Sequence, residues 1–165
     1  MALASGAKAQ EFALKTTTGQ PVILSELIKR GPVVVAFFKV SCPTCQYAFP
    51  YFQRLSEVYK PEAVSVVGIS QNDLSDTEAF MKKYGVTFPV AIDDSRHYVV
   101  SNAYKLTNVP TAYLVDRDGK IQVSSVGWAR KDIEEIYLKL SMMDPTQKPH
   151  PIFKPGEEVA EYKAG

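Results

Sequence analysis

The chain has 165 residues, of which 45% are apolar and 22% charged, and its formal net charge is +1. That length suits one domain, which at this size buries roughly 70% of the surface its unfolded chain exposes. The near-neutral balance argues against nucleic acid or a strongly charged partner. No apolar run approaches the roughly 20 residues that a membrane span requires. Residues 1–10 carry one cation and no apolar stretch of signal-peptide length. A cytoplasmic location is therefore expected for the sequence as it stands, and a periplasmic or other extracytoplasmic one if a leader has been removed.

In chain order, Phe12–Leu14 is expected as a short strand, then a turn at Thr18-Gly19-Gln20, then Pro21–Ile23. Ser25–Arg30 suits a short helix with Ser25 as its N-cap and Gly31 beyond its end. Val33–Phe38 is β-branched and aromatic throughout, the pattern of a central strand buried on both faces. A helix follows to Tyr59, with Ala48, Phe52, Leu55 and Tyr59 on one face and Pro50 placed to kink it. Val64–Ser70 reads as a second buried strand. Ser75-Asp76-Thr77-Glu78 has capping-box spacing, and Lys82, Lys83 and Gly85 suit the end of that helix. Val90–Ile92 is a short strand, and Asp93-Asp94-Ser95 opens a helix running to about Tyr104, with Tyr98 and Tyr104 at core spacing. Thr111–Val115 and Ile121–Val126 are strands joined by Asp116-Arg117-Asp118-Gly119, a hairpin signal. Ile133, Ile136, Tyr137 and Leu140 mark a last amphipathic helix, with Trp128 before it as a packing or surface residue. From Asp144 the pattern dissolves around Pro145, Pro149, Pro151 and Pro155. The expected organisation is one domain over 1–143 and an extended tail over 144–165, pinned by Ile152, Phe153 and Val159. Alternating strands and helices followed by a hairpin define an α/β layer fold with a mixed sheet.

The two cysteines are three positions apart, in Cys42-Pro43-Thr44-Cys45. A structural disulfide framework needs more cysteines at wider spacing. Zinc needs about four ligands, and the only histidines are His97 and His150, one on an exposed helix face and one in the tail by this reading. No metal and no cofactor is expected beyond a redox-active Cys42–Cys45 disulfide. The pair lies between a buried strand and a helix, and a helix N-terminus offers free N–H groups and partial positive charge to a thiolate. Residues three apart on a helical turn have Cβ atoms roughly 5–6 Å apart, against the roughly 3.5–4.5 Å of a disulfide, so slight tightening closes the bridge. Cys42 is expected to attack a partner disulfide and Cys45 to resolve the mixed disulfide.

Phe37-Phe38-Lys39-Val40-Ser41-Cys42-Pro43-Thr44-Cys45, Pro50 five positions later, Asn108-Val109-Pro110-Thr111, Asp116–Ile121 and Val126-Gly127 together resemble the thioredoxin superfamily. Tyr84-Gly85-Val86, Phe88-Pro89, Asp93 and the opening Ser5–Leu14 are similar to its redoxin branch, which holds thiol–disulfide reductases and the alkyl hydroperoxide reductase/thiol-specific antioxidant proteins. The likeness covers roughly residues 5–141. It implies a thioredoxin-like α/β fold, a central mixed sheet flanked by helices, with an N-terminal strand extension and a helix–strand insertion between Ser70 and Pro110. It implies a cis Pro110 facing the cysteines and Val109 backbone groups that pair with substrate. The bare sequence favours trans, since only about 5–6% of X–Pro bonds in folded proteins are cis. Lys39, Pro43, Thr44 and Arg130 are candidate modulators of the thiols. Three departures stand out: Phe38 and Ser41 replace the aromatic-rich Trp-Cys lead-in, and alanines at 36 and 48 replace the acidic residues that commonly take the resolving thiol's proton.

The expected function is thiol–disulfide exchange with protein or small-molecule disulfides, by a monomer, with an electron donor that the sequence does not name. One rival is a thiol peroxidase: Cys42-Pro43-Thr44 resembles a peroxidatic Cys-Pro-Thr, with Cys45 resolving and Arg130 polarising peroxide, but the preceding Pro-x-x-x-Thr segment is missing. The other is a thioredoxin-fold binding module that uses 144–165 as an interaction strand, against which an intact dithiol motif argues.

Overall fold

The structure is a computed structural model and describes residues 1–143 and 151–165. Two short strands, β1 (Ala13–Lys15) and β2 (Pro21–Ile23), form an antiparallel hairpin. They are followed by α1 (Leu24–Arg30), β3 (Val33–Phe38), α2 (Pro43–Val58), β4 (Ser65–Ser70) and α3 (Leu74–Tyr84). Then come β5 (Val90–Ile92), α4 (Val99–Ala103), β6 (Thr111–Val115), β7 (Ile121–Val126), β8 (Trp128–Ala129), α5 (Arg130–Met143) and β9 (Tyr162–Lys163). The main sheet has the order β5-β4-β3-β6-β7. β3 runs parallel to β4 and antiparallel to β6, so the sheet is mixed, with β3 at its centre.

The all-apolar reading of Val33–Phe38 has its cause here. Val34, Ala36 and Phe38 face one core with Phe49, Phe52, Leu55 and Ile136; Val33, Val35 and Phe37 face the other with Leu27, Tyr104 and Tyr113. Period-two alternation carries apolar side chains to both faces, and helices cover both. The first core is rich in rings: Phe38 lies 4.3 Å from Phe49 and 4.7 Å from Phe80, centroid to centroid.

Three expected caps are relocated, each by a carboxylate. Ser25 does not cap α1, which begins at Leu24 without a side-chain cap; the Glu11 carboxylate instead accepts the Ser25 and Phe12 N–H groups. Asp73, not Ser75, caps α3 and accepts the Asp76 N–H at 2.9 Å. The helix expected from Asp93 starts only at Val99, because the buried Asp93 carboxylate accepts the N–H groups of Asp94, Val100 and Ser101 and holds the chain in a turn until then. Within that turn Tyr98 adopts a left-handed conformation and is only half-buried, which removes it from the core. Gly85 sits at the end of α3 with φ +68°, a conformation that suits glycine. At the other end, α2 stops at Val58, and Tyr59 is extended beyond it.

Residues 151–165 pack against the same domain. Ile152 and Phe153 are buried beside Trp128, Tyr51 and Ile133, and Val159 adds a partly buried contact. Asp144–His150, and with them His150 itself, lie outside the described residues. Tyr162 and Lys163, in a stretch expected to be merely extended, pair antiparallel with Ala129 and Trp128.

Candidate active site

The strand β3 delivers the chain to the site, and α2 starts there. Cys42 is the N-cap of α2 with φ −81° and ψ 115°, Pro43 takes the first helical position, and the Cys45 N–H donates to Cys42 Sγ at 3.1 Å. Proline suits that position because its missing N–H is one the helix end leaves unpaired anyway. The loop before the cysteines is fixed on both sides. Val40 N–H donates to Asn72 Oδ1 at 2.9 Å, and Gln46 Nε2 donates to the Val40 carbonyl at 2.9 Å. The Cys42 N–H donates to the Lys39 carbonyl at 3.3 Å.

The two sulfurs occupy different environments. Cys42 is half-buried, whereas Cys45 is fully buried among the apolar residues around Ala48 and Phe49. Burial above all, and then the hydrogen bond with Cys42, push the Cys45 thiol far up from its ordinary range. Both cysteines are free thiols in this structure. The buried positions 36 and 48 carry alanine, so neither offers a carboxylate to the Cys45 proton.

Across from the cysteines the Val109–Pro110 peptide bond is cis, the geometry that the resemblance, and not the bare sequence, implied. The Cys42 thiol donates to the Val109 carbonyl at 3.4 Å. Thr111 Oγ1 donates to the Asn108 carbonyl at 2.8 Å, and Gly127 N–H donates to the Pro110 carbonyl at 2.8 Å, so the loop is tied to β6 and β7. Cys42, Cys45, Val109 and Pro110 thus meet at one place.

The remaining candidates are distributed around it. Lys39 is exposed, and its Nζ lies 5.8 Å from the centre of the Tyr98 ring. It borders a hollow of about 260 Å³ with Gln71, Tyr98, Asn102, Asn108 and Val109. The Thr44 hydroxyl donates to the Ala164 carbonyl at 2.6 Å. Arg130 gives its guanidinium to Glu134 at 3.1 Å, to Glu161 at 3.6 Å and to the Phe153 ring. Sequence reading quoted Asn108 only as part of the motif around Pro110, and did not find Gln71 or the approach of Ala164 and Gly165 to the site. A two-residue strand leaves no periodicity to detect, and lone polar side chains in loops carry no pattern. Among the described residues no group of three His, Cys, Asp or Glu side chains is placed to hold a metal ion, and no helix is long and apolar enough to cross a membrane.

A thiol pair at the end of a central strand, facing a cis-proline loop, is the architecture of the thioredoxin-like redox proteins. The AhpC/TSA family profile matches residues 5–124, and the chain belongs to that family. It is 30% identical over 139 residues to the thiol-disulfide oxidoreductase ResA of Bacillus subtilis, covering 84% of this chain and 76% of that one. It is 31% identical to ResA of Geobacillus kaustophilus, with 84% and 78% covered. Among solved structures, one assigned as a thiol:disulfide interchange protein DsbE from Chlorobium tepidum superposes with a TM-score of 0.73 at 29% identity, covering 84% of this chain and 98% of that one. The thioredoxin domain of a Bacteroides vulgatus thiol-disulfide oxidoreductase gives 0.74 at 21% identity, with 86% and 99% covered, a likeness of fold.

Proposed function

We infer that this chain, a thiol–disulfide oxidoreductase, works through Cys42 as nucleophile and Cys45 as resolving thiol, with every group of the site supplied by a single copy. The observation that carries the reading is the half-buried Cys42 sulfur at the start of α2, held between the Cys45 N–H and the Val109 carbonyl, with a fully buried second sulfur one turn on. In the first step the Cys42 thiolate attacks one sulfur of a partner disulfide. A Cys42–partner bond forms, the partner's S–S bond breaks, and its other sulfur leaves as a thiolate. In the second step Cys45 loses its proton to water and its sulfur attacks Cys42 Sγ. The Cys42–Cys45 bond forms, the Cys42–partner bond breaks and the second partner sulfur leaves as a thiolate, so the partner has gained two electrons and the pair has lost two. Run backwards, the same steps oxidise a dithiol; the direction follows the two reduction potentials.

The reading supports disulfides as the substrate class. Disulfides persist in oxidising compartments, and we propose that the chain works in one, outside the cytoplasm. Cell fractionation tests this: recovery of the protein with cytoplasmic markers alone would contradict it.

Exchange itself is tested by turnover of a model disulfide with dithiothreitol as donor. The intact chain is expected to turn over, Cys42→Ser to lose all activity, and Cys45→Ser, whose mixed disulfide only dithiothreitol can then resolve, to turn over much more slowly. Undiminished turnover by Cys42→Ser would overturn the assignment.

A further inference from the structure

We propose that residues 160–165 form a strap across one flank of Cys42 that selects substrates by shape, admitting compact disulfides and excluding an extended strand laid along Val109. The strap is tied down at successive points. The Ala160 N–H donates to the Tyr47 hydroxyl at 2.9 Å, and Trp128 Nε1 donates to the Ala160 carbonyl at 2.6 Å. The Arg130 N–H donates to the Glu161 carbonyl at 3.0 Å, and β9 pairs with β8. Gly127 makes room for it. Its φ is +73°, and a Cβ there would stand 2.7 Å from the Lys163 carbonyl oxygen.

The strap then reaches the thiols. Thr44, between the two cysteines, donates its hydroxyl to the Ala164 carbonyl, and Asn108 Nδ2 donates to the Gly165 carbonyl at 3.4 Å. Gly165 lies so close to the cis-proline loop that a Cβ on it would stand 2.5 Å from the Val109 carbonyl oxygen. That oxygen is the one to which the Cys42 thiol donates. Any strand that lay along Val109 would have to take the place of Gly165. The opposite flank is open: the hollow beside Lys39, Gln71, Tyr98, Asn102 and Asn108 borders Val109 without a covering segment among the described residues. A small disulfide, or one protruding from a tight loop, approaches from that side.

The strap's grip is light enough to release. Residues 161–165 are exposed on their outer side, and the strand pairing is two residues long. A covered state that leaves the site open about one-tenth of the time lowers the rate for a bulky reactant about tenfold.

The test uses the full chain with Gly165→Val, which forces a Cβ against Val109 and unseats the strap, and a second variant lacking residues 162–165. Reduced protein is alkylated with iodoacetamide and, separately, with a bulky maleimide carried at the middle of an extended linear peptide, and labelling of Cys42 is followed by mass spectrometry. Both variants are expected to react with the bulky maleimide about tenfold faster than the parent, while iodoacetamide stays within about twofold. A bulky-reagent rate unchanged in both variants, or an equal acceleration with both reagents, would overturn the proposal. The substrates named here rest on the oxidoreductase reading. Alkylation reads access to Cys42 whether or not disulfides are turned over, so the failure of one is distinguishable from the failure of the other.

Discussion

At the scale of the residue, the site rests on the contrast between two sulfurs three positions apart. Cys45 is buried with its ionisation opposed by burial first and by Cys42 second. As pH rises past the ordinary thiol value of about 8.5, an unfolded chain releases the Cys45 proton and the folded one holds it. The stability due to the neutral buried thiol is full below that pH and is lost above it, by up to about 1.4 kcal/mol per pH unit. Denaturant unfolding of the reduced protein between pH 7 and 10, set against Cys45→Ser, is expected to show the difference between the two shrinking as pH rises; parallel curves would contradict the assigned environment. The peroxidase rival is weighed at the same scale. Peroxide activation asks for a hydroxyl and a guanidinium at the thiolate, but Thr44 donates to Ala164 and Arg130 is engaged by Glu134, Glu161 and Phe153. Hydrogen peroxide is therefore expected to oxidise Cys42 slowly, with Arg130→Ala leaving the rate unchanged in stopped-flow measurements. Fast oxidation that Arg130→Ala abolishes would reverse this ranking.

At the scale of the element, the elements with strong patterns were legible and the caps were not. Val33–Phe38, Val90–Ile92, Thr111–Val115 and Ile121–Val126 are strands with the bounds that their apolar runs and flanking turns indicate. The caps shifted because Glu11, Asp73 and Asp93 act on N–H groups that only the folded chain brings near, in two of the three cases across several residues. Asp93 is the sharpest instance: it looks like the first residue of a helix and instead caps one that begins six residues later. Asp93→Ala leaves the Val100 and Ser101 N–H groups without their acceptor and is expected to cost about 2 kcal/mol. Asp73→Ala, at an ordinary exposed cap, is expected to cost about 1 kcal/mol. Thermal or denaturant unfolding checks both, and equal small losses would show that Asp93 is not the anchor of its turn.

At the scale of the whole molecule, the fold carries the site by its topology. The central strand ends at the thiols, and the next strand in the sheet, β6, begins at the cis-proline loop, antiparallel to it, so one end of the sheet gathers both halves. The sequence shows each half separately, as a Cys-Pro-Thr-Cys and a Val-Pro-Thr sixty-odd positions later, and only a family resemblance says that they meet. The segment 151–165 was the least legible part, because its contacts are made through scattered side chains and backbone groups, with Arg54 pairing Glu157 at 2.6 Å as its outer anchor. Arg54 holds the Glu157 carboxyl far below its ordinary value, at about 2. The central claim is that Cys42 attacks and Cys45 resolves. Its most direct test is trapping: the full chain as Cys45→Ser and, in parallel, as Cys42→Ser is mixed with a disulfide-bonded peptide, and the products are read by non-reducing mass spectrometry. The account predicts a stable mixed disulfide through Cys42 in the first variant and none in the second; a trapped peptide on Cys45 in the second, with none in the first, would contradict it.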